Sequence, residues 1–294
     1  MEIGLIDVDS HNFPNLALMK LSAYHKRRGD QVEWWNGLKH YDVVYQSKVF
    51  DDTLTKDIEY VVMADEVIKG GTGYDLHGVL PDDIEHICPD YELYGEKKAY
   101  GFLTRGCPRA CPFCIVNAKE GNTHTVAELG EFYNGQKEIV LLDPNILAGR
   151  DREKHLIALA ETRAYIEFNQ GLDARFIDDD ITDILNRMKF KDIHFAWDNY
   201  DDASAVEGLK RYARKATNKP HGHFGMVYVL TNFGSTHDQD LERVYKLRGM
   251  DYDPFVMIYD KAHAPEKTKK LARWCNNKWI FNKCESFEEY AERT

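Results

Sequence analysis

The sequence lacks any apolar run near the ~20 residues that a membrane-spanning helix needs, which argues against a membrane protein. Its start, MEIGLIDVDS, lacks a basic leader ahead of an apolar segment. That argues against a secretory signal and makes the cytoplasm the expected location. Positive charge is also in deficit. Against 49 Asp and Glu stand 38 Lys and Arg, a net charge of −11. Nucleic-acid partners call for a basic surface. A local basic patch exists at KLARWCNNK (Lys270–Lys278), but the acidic whole disfavours DNA or RNA. There is no short-period repeat and no low-complexity tract. Cysteine is scarce, six in 294 residues, yet Cys107, Cys111 and Cys114 fall within eight positions. In a reducing compartment such a cluster points to metal binding or catalysis rather than disulfides.

The chain is 43% apolar and 30% charged, enough to bury a sizeable core. Its first part reads as an α/β unit. EIGLIDVD (Glu2–Asp9) has the pattern of a buried strand. FPNLALMKLSAYHKRRGD (Phe13–Asp30) places Leu16, Met19 and Ala23 at helical spacing, and Gly29 follows a basic last turn as a stop. QVEWW (Gln31–Trp35), YDVVYQS (Tyr41–Ser47) and EYVVMAD (Glu59–Asp65) read as further strands, and KGGTGYD (Lys69–Asp75) as a glycine-rich loop. The polar LPDDIEHICPDYELYGEKK (Leu80–Lys98) reads as a linker.

From Ala99 the alternation restarts. Strands are expected at 99–104, 138–143, 165–170, 192–198, 223–230 and 254–260. Helices are expected at 126–133, 152–163, 180–188, 203–215, 238–247 and 266–275. Six β/α units in about 190 residues fall short of the ~250 of a closed eight-unit barrel. The expected fold is therefore α/β: a partial (β/α)6 TIM-like barrel over residues 96–294, preceded by a small Rossmann-like α/β domain over residues 1–95. The strands end in polar residues: Asp143 and Asn145; Asn169, Gln170 and Arg175; Asp198 and Asn199; Thr231 and Asn232; Tyr259 and Asp260. Barrel enzymes build their sites at those ends, although polar residues also simply mark turns.

The cysteine spacing is C-x3-C-x2-C, directly after the first barrel strand. A structural zinc site wants four ligands, commonly as paired C-x2-C knuckles, and His124 lies ten residues beyond Cys114. Three thiolates leave one iron of a 4Fe–4S cluster without a protein ligand. An open position marks a working metal site rather than a closed structural one.

CPRACPFC, with Phe113 as the aromatic, closely resembles the radical SAM superfamily signature C-x3-C-x-aromatic-C. The resemblance covers most of residues 99–260. It implies a 4Fe–4S cluster on Cys107, Cys111 and Cys114, whose fourth iron binds S-adenosylmethionine. Reductive cleavage then gives methionine and a 5′-deoxyadenosyl radical that abstracts hydrogen from a substrate. An electron donor such as flavodoxin or ferredoxin is implied. The family's glycine-glycine-glutamate type motif after the second strand is replaced here by DPNILAG (Asp143–Gly149). Asp143 or Asn145 is the candidate for the methionine amino group, Arg175 for its carboxylate, Asp198 or Asn199 for the ribose, and Phe113 for the adenine. Gln170 is a further candidate at a strand end. Cys88, Cys275 and Cys284 are too scattered for an auxiliary cluster, and buried cysteine often serves as a small hydrophobe.

DSHNFPN, with Asp9, His11 and Pro14, resembles the D-x-H-x-x-G of cobalamin-binding Rossmann-like domains, whose histidine ligates cobalt. Here Pro14 replaces the glycine, which changes what the backbone can do. PNLALMKL reads as a proline-led helix start, and Asp9, Ser10 and Asn12 are N-cap types. Roughly 95 residues is also short for a domain that must wrap a corrin. A cobalamin-binding-like domain without cobalamin is the expectation. The functional expectation is thus a radical SAM enzyme acting on a small-molecule or peptide substrate. The alternatives are a cobalamin-dependent radical SAM methyltransferase using His11, and a non-catalytic iron–sulfur or zinc-binding protein.

Overall fold

The structure is a computed structural model that describes residues 1–11 and 13–293; Asn12, a candidate N-cap, lies outside them. The chain is α/β and packs into two compact units, Met1–Val140 and Leu141–Thr294.

The first unit opens with β1 (Glu2–Asp7), α1 (Leu16–Arg27), β2 (Gln31–Trp34), β3 (Tyr41–Ser47) and β4 (Ala64–Gly70). These strands form one sheet in the order β2-β1-β3-β4, and every pair is parallel. The apolar run of β1 lies between two neighbours and is buried on both faces, Ile3 and Leu5 under α1 and Ile6 under non-helical chain. Helix α1 starts at Asn15, whose side chain accepts the Leu18 N–H, and carries His25, Lys26 and Arg27 in its last turn. Basic groups there favour the negative helix end. Gly29 follows at φ +83°.

One face of this sheet is covered by α1. Leu18 and Leu21 pack with Ile3, Leu5 and Val43. Each such side chain, fully buried, stabilises the fold by about 1.5–3 kcal/mol. The segment expected as a linker carries α2 (Asp82–Glu85) and a 3-10 turn at Tyr91–Tyr94. Ile84, Leu80 and Leu93 join that same core, so the segment is part of the layer. The opposite face is covered by non-helical chain. Ile6, Tyr41 and Val44 pack against Trp35, Ile58 and Val62, and Trp35 stacks on Tyr60 with centroids 4.8 Å apart. The expected strand at Glu59–Asp65 is therefore corrected. Its apolar residues cover the sheet, and the strand itself is β4, five residues further on, with a largely exposed surface.

The unit continues with β5 (Ala99–Gly101), β6 (Thr104–Arg105), α3 (Val116–Glu120) and β7 (His124–Thr125). The helix expected at 126–133 is reduced to a 3-10 turn at Leu129–Glu131, closed by reciprocal Glu128 and Glu131 bonds. Strand β8 (Glu138–Leu141) straddles the boundary between the units.

The second unit alternates α4 (Arg152–Thr162), β9 (Tyr165–Phe168), α5 (Asp179–Asn186), β10 (His194–Ala196), α6 (Ala203–Lys215), β11 (Met226–Thr231), α7 (His237–Gly249) and β12 (Asp253–Ile258). It ends with α8 (Glu266–Asn276), α9 (Lys278–Lys283) and α10 (Phe287–Glu292). Strands β10, β11 and β12 form a sheet in chain order, parallel throughout. Single parallel bridges, Tyr165–Lys189 and Leu172–Phe195, tie the β9 segment to the β10 segment. Helices α5, α6 and α7 start where side chains accept orphan N–H groups: Asp178 for α5, Asp202 for α6, and a Thr236/Gln239 capping box for α7. Trp274, fully buried, centres the C-terminal core with Val256, Leu271, Phe281 and Phe287. Among the described residues no helix is long and apolar enough to cross a membrane.

Candidate functional site

The three clustered cysteines sit on a loop rooted in a hairpin. β6 and β7 pair antiparallel, Thr104 with Thr125 and Arg105 with His124. Gly106 opens the loop at φ +83°, where a Cβ would collide with the Asn122 carbonyl. No other residue fits that position. The Gly106 N–H donates to Glu120 Oε2 at 3.0 Å, and Thr123 Oγ1 donates to the Gly106 carbonyl at 3.1 Å. The Cys107 N–H donates to the Gly121 carbonyl at 2.9 Å. Its own carbonyl accepts from Asn117 Nδ2 at 2.8 Å. Further along, the Cys114 N–H donates to the Cys111 carbonyl at 2.9 Å, closing the C-x2-C step as one turn.

The backbone of the loop is thus tied at both ends. Its three cysteines carry thiols rather than disulfides, Cys107 and Cys111 half-buried and Cys114 exposed. Phe113 is half-buried between the last two. Among the described residues no group of three or more His, Cys, Asp or Glu side chains is gathered to hold a metal ion. The loop places its thiols on one short segment without drawing them to a common point. As a donor set they fit an iron–sulfur cluster. Thiolates are soft ligands, three of them leave one coordination position open, and His124 is exposed with its Nδ1 2.9 Å from the Asn122 carbonyl.

In the second unit the residues after β8 and β9 converge. Asp143 and Asn145 are buried. Asn145 Nδ2 donates to Asp173 Oδ2 at 2.9 Å, while its Oδ1 accepts the Ala148 N–H at 3.3 Å. Arg175 pairs with the same carboxylate, Nε to Oδ1 at 2.9 Å and Nη2 to Oδ2 at 2.6 Å. Asp173, which the sequence does not single out, is the close partner of Arg175. The one signal for Asp173 is position, two residues before Arg175 in GLDAR. Gln170 is exposed, next to Gly171 at φ +79°.

Asp198 is half-buried and Asn199 exposed at the end of β10. Asn199 Oδ1 accepts the Asp201 N–H at 3.1 Å, a local turn. The backbone beneath them is gripped by Arg243, which is fully buried. Its Nη1 donates to the carbonyls of Trp197 at 2.7 Å and Asp198 at 3.0 Å, and its Nη2 to the Leu230 carbonyl at 2.7 Å. Arg243 so fastens the ends of β10 and β11 together. Nothing in the local sequence marks it, because α7 carries several charges of both signs.

His221 and His223 precede β11, at the end away from Thr231. His223 Nδ1 lies 3.1 Å from Asp251. Tyr200 bonds Glu242 at 2.6 Å.

In the first unit Asp9 is buried, and its two oxygens accept the N–H groups of Val49 at 2.7 Å and Phe50 at 2.9 Å. His11 is exposed at φ +46°. In the glycine-rich loop, a Cβ at Gly71 would strike the Lys48 carbonyl and one at Gly73 the Phe50 carbonyl. These glycines let the loop pack onto the turn after β3.

No protein-family model matches the chain. No curated protein matches it either.

Proposed function

We propose that the protein is a radical SAM enzyme. The observation that carries this reading is the loop between β6 and β7: three thiols in C-x3-C-x2-C spacing, Phe113 beside the third, and a neck closed by Gly106 and Glu120. Cys107, Cys111 and Cys114 would hold the cluster. A 4Fe–4S cluster bound there would supply the electron for cleavage of S-adenosylmethionine to methionine and a hydrogen-abstracting 5′-deoxyadenosyl radical. The electron comes from a carrier protein such as flavodoxin or ferredoxin, and the substrate is a small molecule or peptide.

The chain's own residues have definable tasks. Arg175, oriented by the Asp173 fork, is the candidate for the methionine carboxylate through a charge-assisted contact. Asp143 or Asn145 receives the amino group. Asp198 and Asn199 stand for the ribose, on backbone held by Arg243. A partial (β/α)6 barrel is the finer fold reading. It is supported by parallel strands that follow chain order from β10 to β12, with a helix on each return. A site at the C-terminal strand ends accords with that architecture.

Against cobalamin stands the use of Asp9, since both its oxygens already hold backbone N–H groups. The back face of the first sheet is also covered by coil. We read this layer as cobalamin-binding-like without cobalamin.

The test is anaerobic. The protein is reconstituted with iron and sulfide, reduced, and given S-adenosylmethionine. Release of 5′-deoxyadenosine, lost in the triple alanine variant of Cys107, Cys111 and Cys114, is the expected result. Zinc retention with no iron–sulfur absorbance would sink the proposal in favour of a structural metal protein.

A further inference from the structure

Four charges of alternating sign run from α1 to the cysteine loop. Lys20 Nζ on α1 lies 3.0 Å from Glu85 Oε1 on α2. Glu85 Oε1 lies 3.3 Å from Arg105 Nη2 on β6. Arg105 Nη1 lies 3.0 Å from Glu120 Oε1 at the end of α3. The other oxygen of Glu120 accepts the N–H of Gly106, the residue before Cys107. The guanidinium also lies over the Phe102 ring at 4.0 Å. A second tie joins the same parts: Lys119 Nζ donates to Thr72 Oγ1, in the glycine-rich loop after β4, at 2.6 Å.

Two features set this ladder apart from ordinary surface ion pairs, which contribute little. Its side chains are 11 to 27% exposed, so solvent screens them only in part. It also meets the loop where the loop is weakest. The β6–β7 neck has two residues per strand, and an isolated two-stranded ribbon is marginal in water. Something outside the neck must hold it. Arg105 lies in the neck and reaches in both directions through a fork that lysine cannot reproduce.

We infer that the first parallel layer fixes the cysteine loop through the Lys20–Glu85–Arg105–Glu120 ladder, with Glu85 and Arg105 as positioning residues for the cluster site. The inference rests on the radical SAM reading for what the loop holds. Its geometry belongs to the chain alone and can be read without any metal. The N-terminal layer then has a task that does not depend on a ligand of its own: it supports the thiols.

The test uses the full chain. Glu85→Gln removes one rung but leaves the Glu85 backbone carbonyl, which also accepts from Lys20 Nζ, so α2 stays on α1. In the metal-free protein, amide exchange at Gly106 and Cys107 is expected to rise about tenfold, as for loss of one charge-assisted bond. Exchange in β1 and β3 should stay unchanged. In the reconstituted protein, iron loss to a chelator should also quicken by about tenfold, the low end for partners of metal ligands. Arg105→Lys should behave like Glu85→Gln. Should Glu85→Gln not fold, Arg105→Lys gives the same two readings.

Exchange at Gly106 and Cys107 within twofold of wild type in the folded variants would overturn the inference. Acceleration spread evenly over the whole first unit would overturn it too, since that is general loosening. A wild-type chain that takes up no iron–sulfur cluster would overturn the functional reading instead, and shows in the wild-type sample before any variant is compared.

Discussion

Asp240 Oδ1 lies 2.6 Å from Arg243 Nη2, and their side chains are 3% and 0% exposed. The pair is built within one helix, yet it serves two strands, because the guanidinium spends its other donors on the carbonyls of Trp197, Asp198 and Leu230. Removing one partner of a buried pair leaves the other charge uncompensated. Arg243→Met is expected to cost about 3–5 kcal/mol. Urea unfolding checks this. A loss below about 1 kcal/mol would mean that the β10 and β11 ends hold without it.

Gly208 on α6 touches the turn that carries Arg175. A Cβ there would run into the Ala174 carbonyl. Gly208→Ala should cost about 1–3 kcal/mol through overpacking. It should also weaken S-adenosylmethionine binding by the loaded protein, because Arg175 is displaced with Ala174. Thermal melting and titration calorimetry read the two effects. Lost stability with unchanged affinity would remove Arg175 from the binding site.

Asp57 provides a pH signature. Burial alone would raise its carboxyl. Hydrogen bonds from Lys69 at 2.8 Å and from Tyr74 outweigh that and bring it down to about 2. The unfolded carboxyl titrates near ~3.9, so as pH falls the unfolded chain takes the proton first. The stabilisation is fully present above about pH 4 and is lost as pH falls toward about 2. Asp57→Asn should be the less stable protein near pH 7, with the gap closing below about pH 4. Urea midpoints at several pH values decide it; a gap constant with pH would show that the charge of Asp57 is not what stabilises.

The two C-terminal cysteines and the three of the loop should behave as two classes. Burial pushes the Cys275 thiol up to about 12, and its Sγ donates to the Pro254 carbonyl at 3.2 Å. Cys284 is buried in the same C-terminal core. Alanine at either site should leave iron and sulfide content at the wild-type level, while Cys111→Ala should abolish cluster absorbance. Cluster absorbance intact in Cys111→Ala would refute the ligand assignment.

Most regular elements were legible because their signals are local. Helix α6 spans the expected Ala203–Lys215, with Asp202 as a capping side chain. Each of the six strands expected from Ala99 onward has a counterpart, the first broken into β5 and β6 and the others trimmed or shifted at their ends. The errors have tertiary causes. The Glu59–Asp65 segment looks like a strand because it is apolar, yet Ile58 and Val62 are apolar to cover Tyr41 and Val44. The true β4 is a sheet edge and needs little hydrophobicity. The Leu80–Lys98 segment reads as a linker because only a few of its residues, among them Ile84 and Leu93, reach the core. The cysteine loop could be found from spacing alone. Asp173, Arg243 and the Lys20–Glu85–Arg105–Glu120 ladder could not, since each depends on partners brought together by folding.

The hairpin neck separates folding from loading. In a zinc finger the metal closes the chain, and the apoprotein is unfolded. Here the Thr104–Thr125 and Arg105–His124 pairs, braced by the ion pairs of Arg105 with Glu85 and Glu120, close the loop between Gly106 and Thr123 with protein bonds. The entropy of bringing the loop ends together is lost when the chain folds, not when a metal arrives. A cluster held by the three thiols, as proposed, would therefore enter a loop whose ends are already joined. Loss of such a cluster would leave the hairpin pairs and their ion pairs in place.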